Sequence, residues 1–142
     1  MPRPRLSLPA TFHFSSIIPV RITDVNYGGH VGNDSILSII HEARMQFLHH
    51  YGYTEMDFAG TGMIMTDVSI EFKNELFYGD SLQCAVAISE ISKVGFAIYY
   101  KLERALPEQP VTAALARTGM VCYDYGRKKI TAVPEIIKAR FT

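Results

Sequence analysis

Asp34-Ser-Ile-Leu-Ser-Ile-Ile-His-Glu-Ala-Arg-Met-Gln-Phe-Leu-His-His-Tyr51 carries the one sustained helical period in this chain. Ile36, Ile40, Ala43, Phe47 and Tyr51 recur at helical steps, with Leu37, Ile39 and Leu48 widening the stripe, so one face of the helix must be covered. Ser38, His41, Glu42, Gln46 and His49 fall on the opposite side. Asn33 or Asp34 offers a side chain to cap the first turn, and Gly52 stands where the helix is expected to stop.

Outward from this helix, everything else reads as strand or connection. Upstream, Ile17, Ile18, Val20 and Ile22 mark a first strand within residues 12–23, and Pro19 confines it to an edge, a bulge or a strand beginning. Downstream, after a loop over residues 52–62, residues 63–73 alternate, with Ile64, Val68, Ile70 and Phe72 against Asp67, Ser69, Glu71 and Lys73. Residues 82–91 place Leu82, Cys84, Val86 and Ile88 on one face, and residues 94–104 do the same with Val94, Phe96, Ile98, Tyr100 and Leu102. Tyr78-Gly-Asp-Ser is a turn, a Pro-Glu-Gln-Pro loop covers 107–110, and a last strand runs from Val111 to about Tyr125 before Gly126-Arg-Lys-Lys and a short tail. Strands joined by short links are antiparallel, and no other helix is long enough for a crossover. The expected fold is therefore α+β, one long helix wrapped by a five-stranded antiparallel sheet. One helix cannot cover both sides of such a sheet. Ala85, Ala87, Ala97, Tyr99, Ala114 and Ala116 are assigned to the outer face, as a surface suited to another copy. Residues 1–10 hold three of the seven prolines and read as a flexible arm, leaving 11–142 as a single domain.

Charge and cysteine usage narrow the function classes. Lys and Arg number 14 and Asp and Glu 14, so the bulk attraction that phosphate backbones or anionic membranes exploit is missing, and neither is an expected partner. No apolar run is long enough to span a bilayer. The basic start Met1-Pro-Arg-Pro-Arg5 leads into Leu6, Ser7, Leu8, Pro9 and Ala10, which is no export signal. Cys84 and Cys122 lack the close pairing of zinc or redox motifs, and without an export signal a disulfide between them is not expected. The reading is a cytoplasmic protein.

Chemistry-bearing groups concentrate in Asp24-Val-Asn-Tyr-Gly-Gly-His-Val-Gly-Asn-Asp34, directly before the helix. A carboxylate, an amide, an imidazole and a Gly-rich turn there precede a helix N-terminus, whose free N–H groups suit an oxyanion or a polarised carbonyl oxygen. Acyl transfer needs such donors plus a group that activates the nucleophile, and Asp24 with His30 offers one. On residue types alone, the alternative stays open that Asp24, Asn26 and Asn33 only bond the loop and cap the helix. A calcium loop would need Glu where Ser35 stands. His13, His30, His41, His49 and His50 lie at no standard ligand spacing, so no metal is expected.

The same residues carry a resemblance. Arg21-Ile-Thr-Asp24-Val-Asn26-Tyr-Gly-Gly-His30-Val-Gly-Asn33, followed by Glu42-Ala-Arg44, resembles the hotdog-fold acyl-CoA thioesterases of the 4-hydroxybenzoyl-CoA thioesterase type. It is similar also to the plant acyl-carrier-protein thioesterases, whose pattern runs Asp-x-Asp-x-x-x-His-Val-Asn-Asn. Val68-Ser-Ile-Glu-Phe72-Lys-Asn-Glu-Leu76-Phe-Tyr-Gly79-Asp80 resembles the family's next strand and its Gly-Asp turn, so the likeness runs from about residue 14 to 125. It implies a hotdog fold and hydrolysis of an acyl-CoA or acyl-carrier thioester, with the coenzyme A ester as substrate and no further cofactor. It also implies a homodimer joined edge to edge, or a homotetramer, with active sites between subunits. The thioester carbonyl would sit at the helix N-terminus, held by the 28–33 backbone with Gly28, Gly29, Val31 and Asn33.

One departure matters. Asn26 stands where the family's second acid belongs, and an amide cannot accept a proton at neutral pH as a carboxylate does. Gly32 likewise replaces the first Asn of the Asn-Asn pair. Asp24 is then the preferred carboxylate and Glu42 the second, with Asn26 positioning water or the carbonyl and His30 orienting the ligand or passing a proton. Lys73, Arg127, Lys128 and Lys129 are candidates for the coenzyme A phosphates, and Ile64, Met65, Phe72 and Phe77 for the acyl wall. The competing expectation is a non-catalytic acyl-thioester binding protein that kept the fold and lost the acid at position 26.

Overall fold

The computed structural model describes residues 5–106 and 109–142. In chain order its elements are β1 (Phe14–Pro19), a 3-10 turn (Ile22–Asp24), α1 (Asn33–His50), β2 (Gly62–Phe72), β3 (Ser81–Ser89), β4 (Gly95–Arg104), β5 (Val111–Asp124), β6 (Lys129–Ile130) and α2 (Glu135–Phe141). The strands pair antiparallel in the order β1-β3-β4-β5-β2, and the two-residue β6 pairs with the end of β5. The sheet thus has six strands, the expected five plus this short addition from the turn after Tyr125. The loop expected at 107–110 falls partly outside the described residues, as do residues 1–4 of the arm.

α1 lies in the curl of this sheet. Ile36, Ile39, Ile40, Ala43, Phe47 and Leu48 are buried against Leu82, Val86, Ile98, Tyr100 and Leu102 of β3 and β4, so the apolar stripe read from the sequence faces the core. Neither Asn33 nor Asp34 is the N-cap. Gly32 occupies that position with no side-chain cap, and the two polar residues fall inside the first turn. The helix stops as expected, with Gly52 in the left-handed region at φ +83° and its amide on the His49 carbonyl.

Three strand assignments change. β1 ends at Pro19, which has no N–H for the ladder, and Ile22 turns outward in the 3-10 turn. Ala114 and Ala116 do not belong to the outer face. They pair with Leu102 and Tyr100 on the helix side, where small side chains make room for large ones opposite. Val68 and Phe72 do face the helix side, but β2 is the sheet edge and α1 does not reach them, so they stay 37% and 51% exposed.

The tail folds into α2, an element its sequence did not signal. Ile137 and Phe141 are buried, and the Phe141 ring lies 5.8 Å from Phe47, 5.1 Å from Tyr51 and 5.1 Å from His13. The described part of the arm makes hydrogen bonds to the sheet. The Leu6 amide donates to Glu71 Oε2 at 2.9 Å on β2, while the His13 amide reaches the Val86 carbonyl at the opposite margin. Residues 6–13 therefore cross from one margin of the sheet to the other. Glu71 pairs with Leu115, away from the core alanines, so the crossing is over the outer face, where Ala87 and Ala97 are fully buried. Beside it, Arg117 pairs with Glu90 at 3.0 Å and Asp67 at 3.4 Å.

Cys84 and Cys122 are buried and free. Burial pushes the Cys84 thiol up to about 12. Among the described residues no helix is long and apolar enough to cross a membrane.

Candidate active site

The loop between β1 and α1 is held by its own polar groups. Asp24 Oδ2 accepts from the Arg21 amide at 2.8 Å, which closes the 3-10 turn. Asn26 then folds the segment back: its amide donates to the His30 carbonyl at 3.0 Å, its carbonyl accepts from Gly29 at 3.1 Å, and its Oδ1 accepts from Gly28 at 2.9 Å. Gly29 sits at φ +82°, the left-handed region that the reversal requires. A Cβ on Gly28 would lie 3.1 Å from His30 Nε2, so the glycine leaves the imidazole its place. Val31 donates to the Leu76 carbonyl at 2.8 Å and Gly32 to the Asp24 carbonyl at 3.2 Å, which ties the loop to the β2–β3 connection.

These bonds decide which donors are free for a ligand. The amides of Gly28, Gly29, Val31 and Gly32 are consumed inside the fold, contrary to the expectation that the 28–33 backbone as a whole receives an oxyanion. At the mouth of α1 the amides of Asn33 and Asp34 have no partner among the described residues, because the cap is a glycine.

Next to them opens a cavity of about 220 Å³. His30, Val31, Asn33 and Ile36 form one wall, Phe72 to Leu76 the other, and Ala113 of β5 the floor. Of the residues singled out from sequence, the structure brings together here His30, Val31, Asn33, Lys73 and Phe72. The carboxylates go elsewhere. Asp24 is 4% exposed, with Oδ1 3.5 Å from the Arg21 guanidinium, and it lines a second hollow with Glu42, Ser38 and Gln46. Glu42 Oε2 accepts from Gln46 Nε2 at 2.9 Å on the open side of α1. Asn26 lines a third hollow with Asp34 and Ser35, and Asp24 borders this one as well. Lys73 Nζ lies 3.2 Å from Glu71 at the cavity rim. Ile64 pairs with Val121 and Arg127 caps a turn on Asp124, both toward the end of β5 far from Ala113.

Two features escaped the sequence. One is Glu75, which sits in the cavity within a stretch read only for its likeness to a strand and turn. The other is a polar chain beneath α1. Arg44, 6% exposed, donates through Nε to Glu55 at 2.9 Å and through Nη1 to the Tyr100 hydroxyl at 3.0 Å, and Tyr100 meets Thr118 at 2.8 Å. His41 completes it, 3.0 Å from Glu55. Burial pulls the Glu55 carboxyl upward, but the hydrogen bonds from His41 and Arg44 outweigh it and hold the group below the usual carboxylate range.

A long helix in the curl of an antiparallel sheet, with free N-terminal amides opening on an apolar cavity, is the architecture of the hotdog thioesterases. Residues 20–141 match the thioesterase-like superfamily, and the chain belongs to that family, whose chemistry is thioester hydrolysis. Among its relatives is a 1,4-dihydroxy-2-naphthoyl-CoA hydrolase of Microcystis aeruginosa, 29% identical over 122 residues that cover 84% of this chain and 86% of the relative. Solved structures of the same fold include a thioesterase superfamily protein from Jannaschia, with a TM-score of 0.81 at 19% identity over 94% of this chain and 83% of the other. A 1,4-dihydroxy-2-naphthoyl-CoA thioesterase from Synechocystis superposes with a TM-score of 0.78 at 22% identity, over 89% of this chain and 93% of the other.

Proposed function

We propose that this chain hydrolyses the thioester of an aromatic acyl-coenzyme A in the cavity at the N-terminus of α1. The observation that carries the reading is the meeting of Asn33, whose amide is free at the first turn of α1, with an apolar wall and His30. When water adds to a thioester carbonyl, negative charge gathers on its oxygen, and amides at a helix N-terminus stabilise that charge without reorganising. Ile36, Phe72 and Leu76 offer the acyl group a surface, and the naphthoyl substrate in the Microcystis relative's name favours an aromatic one. Lys73 at the rim suits a coenzyme A phosphate. A Cβ on Gly32 would lie 3.7 Å from Asn26 Nδ2, which puts this amide beside the helix mouth, where it positions water or carbonyl, while Asp24 holds the turn behind it. Water is the only co-substrate, and the step calls for neither metal nor cofactor.

The working form on this reading is a pair of chains joined along β2, in the cytoplasm. The exposed Val68 and Phe72 on that margin are the surface a second copy would cover, and they adjoin the cavity. Val68→Arg is expected to convert dimer to monomer in sedimentation and to lower turnover with it; an unchanged dimer would remove β2 as the joint.

The activity test is thiol release from short, medium, long and aromatic acyl-CoAs, with an acyl-carrier thioester beside them. Turnover is expected to be greatest with an aromatic acyl-CoA. A preference for aliphatic chains would overturn the substrate class, and no turnover with any member would overturn the assignment to this chain.

A further inference from the structure

Resting on that reading, we propose that Glu75 supplies the carboxylate that Asn26 no longer provides. Asp24, which shares the hollow of Asn26 and Asp34, is engaged with Arg21, and Glu42 with Gln46, and neither lines the cavity of His30, Asn33 and Ile36. Glu75 does, together with His30 and Asn33. Asp34 also lies at the helix mouth, but it opens on the hollow of Thr23, Asn26 and Ser35, which offers no apolar wall comparable to Ile36, Phe72 and Leu76.

The backbone around Glu75 is fixed on both sides. The Lys73 amide donates to the Ala113 carbonyl at 2.8 Å, Asn74 Nδ2 to the Thr112 carbonyl at 2.7 Å, and Leu76 receives the Val31 amide at 2.8 Å. Lys73, the neighbouring cation, is turned to Glu71 at 3.2 Å, so Glu75 has no ion-pair partner among the described residues. A general base needs this combination of a held backbone and an uncommitted carboxylate. The step balances without another reactant. Glu75 takes a proton from water as the water oxygen bonds to the carbonyl carbon, the C–S bond breaks, and the protonated Glu75 returns the proton to the departing thiolate. The products are a carboxylic acid and coenzyme A thiol.

The test compares Glu75→Gln, Glu75→Asp and the wild type on the best substrate of the acyl-CoA panel, with Glu135→Gln on the exposed side of α2 as a control. Glu75→Gln is expected to lower kcat about 100-fold or more, with KM and Tm little changed and the acid limb of the pH profile lost. Glu75→Asp should recover part of the rate, and the control should match the wild type. If Glu75→Gln keeps more than about a third of kcat, or keeps the acid limb, Glu75 is not the base while thioester hydrolysis stands. A Glu75→Asp no faster than Glu75→Gln, with both melting below the wild type, likewise overturns the role in favour of a structural one. No turnover by the wild type on any member of the panel overturns both readings together.

Discussion

Arg44→Met should cost about 3 kcal/mol of folding stability, because it removes the cation from a polar chain that has little water to fall back on. The guanidinium is buried beneath α1, and its loss strips a donor from both the Tyr100 hydroxyl and the Glu55 carboxylate. Tyr100 keeps Thr118, and Glu55 is 28% exposed and keeps His41, so the effect falls at the lower end for a broken buried pair. Denaturant unfolding measures it, and a loss under about 1 kcal/mol would mean that the chain is only incidental to the fold. The pH dependence has a definite sign. Glu55 has a folded-state pKa below its unfolded value, so the stability it contributes is present above the unfolded pKa and is lost as pH falls through the folded one. Wild type should therefore weaken more steeply below about pH 4.5 than Arg44→Met does, since the variant has lost much of that contribution already.

Phe47→Ala should cost about 4 kcal/mol and leave the chemistry alone. Its ring is buried at the junction of three elements, 6.2 Å from Phe14 of β1, 5.3 Å from Tyr51 and 5.8 Å from Phe141 of α2. The resulting cavity cannot be refilled by one neighbour, and α2 would lose much of the surface that seats it. Phe47 lies fourteen residues along α1 from Asn33, or about 21 Å from the helix mouth. Turnover per folded molecule should be unchanged at a temperature where the variant stays folded. A large fall in kcat, in protein shown folded by circular dichroism, would mean that the two ends of α1 are coupled.

Periodicity made the architecture legible because each long element has a half-buried face. α1 and β3 read correctly for that reason, and Pro19 marked β1 as a margin strand. β2 misled, since a bulge between Met65 and Asp67 puts Ile64 on the face opposite Val68, Ile70 and Phe72, and since Val68 and Phe72 stay exposed at the sheet edge. α2 is too short for a periodic signal, and its seating depends on Phe47 and His13, far away in the chain. For the site, the sequence marked the loop before α1 correctly as a place where polar groups gather at a helix N-terminus. It could not say which of those groups the loop uses on itself, because that depends on hydrogen bonds such as Arg21 to Asp24 and Gly28 to Asn26. Glu75 lies 45 residues beyond His30 and reaches the same cavity through tertiary pairing, the Val31–Leu76 bond and the His30–Phe77 bridge. No spacing rule on one strand or helix would have joined them.

The N-terminal segment laid over the sheet bears on stoichiometry. A two-sided sheet has two ways to recruit a copy of itself, sideways along a strand or back to back, and using both builds higher assemblies. Residues 6–13 run between the Leu6–Glu71 and His13–Val86 hydrogen bonds, on the side of the sheet that back-to-back stacking would need. If two chains join along β2 as proposed, a further contact through the other face would first have to displace this segment.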